Sequence, residues 1–449
     1  MQVIETEHEF KMFLSSIQDS NIIIVPVLSD NFKHYVNNRI SFMFIHDLKT
    51  SNEYVISFNH KECISLEIQR IQEVRTSGNI FVYNKKAFVN TFSKQVIDLD
   101  LVYWFHYNTP IPTEDCDTSV HDTFQRWYHS VQYLNDIIPI ARQIERCKNI
   151  VNKAKHVVEF VDDEALDIYN HIGLDNLATI ERNGLYVNYD EFIDAFKANH
   201  IERSTAYTEY NMYTTTGRPS NRFGGVNYAA LNTEAGARKP FVSRFEYGML
   251  LELDFDSYHV RLIADMMDYE FPKHESVHRH LGKYYFNKDT LTPEEYAQAK
   301  SITFKQIYGG IDKEYAEIPF FKKTKELINE IWKQYQFRGY TETPIYKRRF
   351  KKAWFTDMNA NKLFNYILQA TETERNFKVI DNVLEMLQGK NTKLILYTYD
   401  SLLFDYDVRD GKQLILDLKR VMTENGKYPV KIAAGKNYHD MIDMTEKVN

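Results

Sequence analysis

The sequence predicts an α+β fold that begins with an α/β domain. Apolar runs rich in β-branched residues and bounded by turn residues predict N-terminal strands at 21–28, 40–46, 53–58 and 79–83. A helical spacing of apolar residues follows from about 121 to 180. Residues 211–239 are rich in Thr, Gly, Asn and Arg, which is typical of a loop, and beyond them strands alternate with long helices.

Composition argues against several classes of protein. The 449 residues are enough for two to four structural units. A net charge of −7 argues against a protein that coats nucleic acid by bulk charge, but it is compatible with a local basic groove. The three cysteines have neither metal-ligand nor disulfide spacing, and the sequence shows no secretion signal and no apolar run of about 18 residues. We therefore expect a cytoplasmic protein without a membrane partner.

Two strand-like segments end in aspartate. The apolar residues Met249, Leu250, Leu251 and Leu253 lead into Asp254-Phe255-Asp256, and apolar residues 394–397 lead into Asp400. Two strands that each carry a carboxylate at the tip can hold divalent metal ions between them, and metals held in this way promote phosphoryl transfer. An Asp-x-Asp after an apolar strand also occurs in nucleotide-sugar glycosyltransferases, where it binds Mn²⁺. That alternative accounts for Asp254 but not for Asp400.

One helix can be read in detail. Thr292-Pro293-Glu294-Glu295 forms a capping box with proline at the first helical position, and Gly309-Gly310 ends the helix. Lys300, Phe304 and Tyr308 are four residues apart and share one face. Such a stripe could meet a phosphate, a sugar and a base in that order. The alternative is an ordinary amphipathic helix with one stray lysine.

Several weaker signals lie around these motifs, and each alone could be an ordinary surface or structural residue. They comprise Arg218, which follows a loop glycine; Asn365 and Gln369, which share a helical face; and the single residues His278 and Arg238. A cationic run with flanking aromatic residues adds Lys347, Arg348 and Arg349. Cations interleaved with aromatic rings suit a strand of nucleic acid.

Taken in order, these pieces resemble the family A, polymerase-I-like DNA polymerases over about 270 residues. The matching segments are Ile180-Glu181-Arg182-Asn183-Gly184, Thr216-Gly217-Arg218-x-Ser220, Asp254 to Arg261, Lys300-x3-Phe304-x3-Tyr308-Gly309, Asn365-x3-Gln369-x-Thr371 and Tyr399-Asp400-Ser401. The resemblance implies a right-hand polymerase fold, with an antiparallel palm sheet and helical fingers at about 275–360. It also implies three regions: a ribonuclease-H-like, exonuclease-like domain at 1–175, a junction with a vestigial thumb at 176–215, and the palm and fingers at 216–449.

By the same resemblance, the chain would be a template-directed DNA polymerase that acts on primer-template DNA and dNTPs. Two Mg²⁺ ions, for which Mn²⁺ may substitute, would bind Asp254, Asp400 and the Phe255 carbonyl. Lys300 would act with the two aspartates in catalysis. The dNTP would contact Arg238, His278, Phe304, Tyr308 and His259, and the nucleic acid would contact Arg218, Asn365, Gln369, Lys347, Arg348 and Arg349.

The chain also departs from the family's pattern. His259 stands where the family has a glutamate that gates the sugar, Tyr296 where it has an arginine, and Ser401 where it has a third acid. About 32 residues separate Gly184 from Thr216, which is short for a thumb. The exonuclease acids are absent from the first strand, and Phe88 stands in place of another. We therefore expect no proofreading, and low processivity unless a partner protein supplies a clamp.

Two further alternatives remain open. The chain could be a catalytically inactive polymerase-like subunit that binds nucleic acid or an assembly, or a polymerase with relaxed sugar selectivity, as His259 suggests. Compactness and the content of Asn, Ile, Lys and Tyr favour a phage enzyme of viral DNA replication that acts in the host cytoplasm.

Overall fold

The computed structural model describes residues 1–113, 134–161, 163–197, 201, 203–231, 236–272 and 275–448. The chain forms two compact units. The first comprises Met1–Gly184, Lys197–Tyr213 and Arg222–Asn227, and the second comprises Leu185–Phe196, Thr214–Asn221 and Tyr228–Asn449. Part of the helical stretch predicted from residue 121 lies outside the described residues.

The first unit is built on a mixed sheet. Its strands are β1 (Gln2–Ile4), β2 (Ile22–Leu28), β3 (Ile40–Asp47), β4 (Glu53–Ser57), β5 (Ile80–Val82) and β6 (Ile97–Asp98), in the order β1-β4-β3-β2-β5-β6. Strands β2, β3 and β4 are antiparallel, whereas β5 runs parallel to β2, β6 to β5 and β1 to β4. The four strands predicted here are confirmed, and β1 and β6 are additions at the sheet edges.

Helices cover this sheet in the first unit. They are α1 (Glu7–Ser16), α2 (Leu99–Tyr107), α3 (Ile140–Ala154), α4 (Glu164–Ile168) and α5 (Leu174–Asn183), with a π-helical turn at Tyr169–Gly173 between the last two. A capping box starts α1, since Glu9 N donates to Thr6 Oγ1 at 3.2 Å and Thr6 N donates to the Glu9 carboxylate. Phe10 and Phe13 of this helix pack into the apolar core of the sheet.

Short strands connect these elements to the second sheet. They are β7 (Leu185–Tyr186), β8 (Thr205–Ala206), β9 (Tyr210–Asn211), β10 (Ser220–Phe223) and β11 (Val226–Asn227). The strands that follow are β12 (Gly248–Phe255), β13 (Tyr340–Glu342), β14 (Arg349–Lys351), β15 (Lys393–Thr398), β16 (Ser401–Asp407), β17 (Val430–Gly435) and β18 (Ile442–Asp443).

The second unit contains the predicted antiparallel sheet, in the order β15-β16-β12-β17-β18. Strand β12 is central, and its residues Leu250, Leu251 and Leu253 are buried. Strands β13 and β14 form a separate hairpin. The α+β fold and the antiparallel sheet of the palm are therefore confirmed.

The helices of the second unit are α6 (Tyr189–Phe196), α7 (Tyr258–Met266), α8 (Val277–Phe286), α9 (Pro293–Gly309), α10 (Pro319–Arg338), α11 (Ala360–Met386) and α12 (Gly411–Thr423). Helix α9 begins at the predicted capping box of Thr292 and Glu295 and ends before Gly310, whose φ of 104° favours glycine. In the described part of the chain, no helix is both long enough and apolar enough to span a bilayer.

Candidate active site

The two predicted acids lie at neighbouring strand ends. Asp254 is paired with Ser401 in the register of β12 and β16, and Phe255 N donates a hydrogen bond of 2.8 Å to the carbonyl oxygen of Asp400. Directly paired residues of antiparallel strands have Cα atoms about 4.5–5.5 Å apart. Tyr399, with a φ of 60°, turns the chain between β15 and β16 and presents Asp400 at the turn. Two distant sequence segments are thus brought together.

The carboxyl groups of this pair are electrostatically frustrated. Burial, and then the negative charge of Asp400, raises the pKa of Asp254 to about 7. Burial and the negative charge of Glu372 raise the pKa of Asp400. Two acids that resist ionisation because they are buried among other acids are suited to a divalent cation, which would offset both effects. The donor set therefore fits a hard metal ion bound by oxygen.

Other side chains near the pair have partners of their own. The hydroxyl of Ser401 lies 2.7 Å from that of Thr398 and 3.3 Å from the Glu252 carboxylate. Asp256 forms ion pairs with Lys431 at 3.4 Å and Arg261 at 3.8 Å. Among the described residues, no group of three or more His, Cys, Asp or Glu side chains is arranged to hold a metal. A metal here would rely on two carboxylates with backbone oxygen.

The stripe on α9 forms as expected. Lys300 Nζ lies 5.9 Å from the centre of the Phe304 ring, and the Phe304 and Tyr308 rings stack with centroids 6.1 Å apart. Lys300 is exposed and the Tyr308 side chain is 43% exposed, so the stripe is not packed into the core. A phosphate, a sugar and a base could reach these three groups from solvent.

His278 differs from what the sequence suggested. It is only 2% exposed and packs against the Phe304 ring with centroids 5.4 Å apart. Burial lowers the pKa of His278 to about 4; the negative charge of Asp256 opposes this effect and the positive charge of Lys300 adds to it. Near neutral pH this imidazole is therefore uncharged. Arg238, in contrast, stacks over Tyr438 at 4.3 Å and donates to the Leu231 carbonyl.

Glu372 of α11, which the sequence analysis did not single out, joins several expected contacts. Its carboxylate lies 2.8 Å from Arg218 Nε and 3.0 Å from His259 Nε2, and its side chain is 1% exposed. Burial raises its pKa, but His259 and Arg218 outweigh that effect and lower it. The sequence feature that could have indicated Glu372 is its spacing of three residues from Gln369, which places both side chains on one face of the helix.

Each of the three expected nucleic-acid contacts of this region, Arg218, Asn365 and Gln369, touches a neighbouring segment of the second unit. The Arg218 guanidinium lies 3.7 Å from the Tyr399 ring centre. Asn365 Nδ2 donates to the Tyr308 carbonyl at 3.1 Å, and Thr216 Oγ1 donates to Gln369 Oε1 at 3.3 Å. The loop before β10, helix α9 and helix α11 therefore converge on the end of β15.

The cationic run at 347–349 is split between surface and interior. Lys347 and Arg349 are exposed, and Arg349 pairs with Glu342 across the hairpin at 3.0 Å. Arg348 is 1% exposed, donates to the Thr215 carbonyl at 3.3 Å and stacks on Phe350. Alternation along β14 sends Arg348 inward with Phe350. In this structure Arg348 is therefore buried and holds the hairpin to the loop at Thr215, whereas Lys347 and Arg349 are exposed to solvent.

Comparison with known proteins identifies the fold. No protein-family model matches the sequence, and no curated protein matches it. The structure is similar to the polymerase domain of Pol1 from M. smegmatis, solved in complex with DNA primer-template and dNTP. The TM-score is 0.71 at 15% sequence identity, over 98% of this chain and 100% of the other. The class defined by the fold is that of polymerase domains, and the particular fold is that of the Pol1 polymerase domain.

Proposed function

We propose that the protein is a DNA-directed DNA polymerase that adds deoxynucleotides to a primer 3′-hydroxyl. The observation that carries this proposal is the pairing of Asp254 with Asp400 at neighbouring strand ends, beside the Lys300 stripe, in a fold whose solved relative binds primer-template and dNTP. Frustrated carboxylates, an exposed lysine and stacked rings together match the needs of nucleotidyl transfer.

Asp254, Asp400 and the Phe255 carbonyl would hold two Mg²⁺ ions, or Mn²⁺ in their place. A bound metal would supply Lewis acidity toward the primer hydroxyl and the leaving pyrophosphate. Because the carboxyl groups are buried and held by backbone pairing, they would need little rearrangement to bind it.

The nucleotide would lie along α9. Lys300 would neutralise the phosphates and protonate the pyrophosphate, because it is exposed and lies at the open end of the stripe. Phe304 would stack on the deoxyribose and Tyr308 would contact the nascent base pair. Arg238 would add a second cation, whereas neutral His278 would act only through hydrogen bonding.

The nucleic acid would contact two groups of side chains. Arg218, Asn365 and Gln369 would read the minor groove, whose acceptors are common to all correct base pairs. Lys347 and Arg349 would follow the phosphate backbone. Residues 1–175 would form the degenerate exonuclease-like domain, 176–215 the junction and vestigial thumb, and 216–449 the palm and fingers. A short thumb implies low processivity unless a partner protein clamps the duplex, as in viral DNA replication in a host cytoplasm.

Primer extension tests the proposal. Wild-type protein should extend a labelled primer on a DNA template with dNTPs and Mg²⁺, and EDTA should stop it. Asp254→Asn and Asp400→Asn should each slow incorporation by at least about a hundredfold, because substitution of a residue that only supports a metal ligand can already reduce activity by up to about that factor. Asp443→Asn is the matched control, because Asp443 lies on the same sheet at the exposed edge strand β18.

Two results would contradict the proposal. Full activity of the Asp400→Asn variant would show that the reaction does not require the proposed metal site. Primer-template binding without any incorporation by the wild type would instead favour the inactive polymerase-like subunit. Ribonucleotides and an RNA template, run in parallel, would measure sugar and template selectivity.

A further inference from the structure

A line of polar contacts joins the exposed stripe of α9 to the buried face of α11 through α7. The Tyr308 hydroxyl lies 2.7 Å from His259 Nδ1, and His259 Nε2 lies 3.0 Å from Glu372 Oε1. His259 and Glu372 are both buried, whereas the Tyr308 ring is partly open to solvent. The line therefore ends at the surface where the nucleotide would bind rather than in the core.

The line consists of one hydrogen bond, between Tyr308 and His259, and one ion-pair contact, between His259 and Glu372. The other oxygen of Glu372 is paired with Arg218, which favours the ionised carboxylate. An ionised carboxylate carries no hydrogen to donate, so it pairs best with a His259 whose Nε2 bears a hydrogen. Nδ1 of the same ring then shares one hydrogen with the Tyr308 hydroxyl, and the protonation of the ring decides which of the two donates. Glu372 thereby determines how Tyr308 is held.

We propose that Glu372 is a positioning residue for nucleotide selection, which acts through His259 to hold Tyr308 at the nascent base pair, where its ring leaves no room for a 2′-hydroxyl on the incoming nucleotide. The inference rests on the proposed polymerase function and deepens it. A 2′-hydroxyl would have to push Tyr308 away from His259, which would leave the buried Nδ1 without its hydrogen-bond partner. Replacement of the family's glutamate by His259 is then compensated by Glu372, and the chain discriminates against ribonucleotides.

A second buried glutamate on the same helix provides a matched control. Glu374 accepts hydrogen bonds from Thr343 Oγ1 at 2.6 Å and Tyr346 N at 2.9 Å, so it holds the segment before β14. It is as deeply buried as Glu372. A substitution at either position perturbs a buried carboxylate of α11, but only Glu372 contacts His259.

The first experiment measures sugar discrimination in single-turnover primer extension. Glu372→Gln keeps the shape but replaces a charged acceptor by a neutral one of roughly half the strength. We expect the preference for dNTP over rNTP to fall about fivefold. The same substitution in a Tyr308→Phe background should change the preference no further, and Glu374→Gln should leave it unchanged. An unchanged preference in Glu372→Gln, or an equal fall in the Tyr308→Phe background, would overturn the inference.

The second experiment does not depend on catalysis. Urea unfolding midpoints are compared for Glu372→Gln, Tyr308→Phe and the double variant, and for the corresponding set with Glu374→Gln. Residues linked through His259 should give a non-additive shift, whereas the Glu374 set should be additive. Additive shifts in the Glu372 set would refute the positioning role even in an active polymerase. Coupled shifts in a chain that incorporates no nucleotide would instead refute the proposed function and leave the contact network intact.

Discussion

At the scale of the residue, His278 sets a pH dependence of stability. Burial lowers the pKa of this histidine to about 4, below the ordinary value of 6.5. Between pH 6.5 and 4 the unfolded chain binds a proton here that the folded chain does not, so stability falls as pH decreases through this window. We expect this single group to remove on the order of 2–3 kcal/mol of unfolding free energy by pH 4.

Unfolding midpoints of the wild type and His278→Gln between pH 7 and 4 measure this effect. The variant should lose less stability than the wild type as the pH falls. His8→Gln, which replaces an exposed histidine, should follow the wild-type curve. Parallel curves for the wild type and His278→Gln would show that the histidine titrates normally.

Lys300 is the residue whose removal should most affect phosphate binding on α9. Lys300→Ala should lower the efficiency of dNTP incorporation about a hundredfold, because both charge neutralisation and proton donation are lost. Lys305→Ala is the matched control: Lys305 lies about 140° around the same helix and pairs with Asp312 at 3.1 Å. Single-turnover kinetics would contradict the assignment if both variants lost activity equally.

Residues could be predicted from the sequence where they belong to a local motif, but not where burial in the folded chain determines what the side chain contacts. Asp254, Asp400 and the α9 stripe could be predicted because each stands in a recognisable local pattern. Arg348 could not be predicted, because only the register of the β13–β14 hairpin turns it inward. Glu372 was missed for the same reason: a charged residue in a helix is ordinarily taken to face solvent, and its partners come from distant segments.

At the scale of the element, α9 shows that the ends of a helix can be predicted from its capping residues. Its first and last residues follow from a capping box, a proline and a glycine, which act within one helical turn. The short edge strands β1 and β6 could not be predicted, because two or three residues carry no usable periodicity. Their pairing depends on neighbouring strands that lie far away in sequence.

The cap of α9 can be tested directly. Thr292→Ala removes the oxygen that accepts from Glu295 N, which should cost about 1 kcal/mol at the start of the helix. Amide hydrogen exchange should therefore accelerate at residues 294–296 and remain unchanged in α1. Thr6→Ala removes the equivalent cap of α1 and should show the reverse pattern. Unchanged exchange in both variants would mean that tertiary packing, not the cap, holds these helix ends.

At the scale of the whole molecule, the two units use their buried carboxylates differently. In the second unit, Asp254 and Asp400 are left frustrated, as a metal site requires. In the first unit, burial likewise raises the pKa of Asp98, Asp100 and Glu181, but these acids have internal partners. Lys86 pairs with Glu181 at 2.5 Å, Asp98 accepts from Tyr213 and from two backbone amides, and Ile111 N donates to Asp100. Satisfied carboxylates of this kind stabilise a fold and are poorly placed to bind cations.

The first unit should therefore lack 3′→5′ exonuclease activity. Phe88, which stands in place of an exonuclease acid, lies in the apolar core of this unit, and Val25 of β2 is buried. A primer with a mismatched, 3′-labelled end should keep its label during long incubation with Mg²⁺. Asp254→Asn, which leaves the first unit intact, is the control that separates trimming from reversal of polymerisation. Mg²⁺-dependent trimming that persisted in Asp254→Asn would contradict this prediction, because it would show that the first unit binds a catalytic metal.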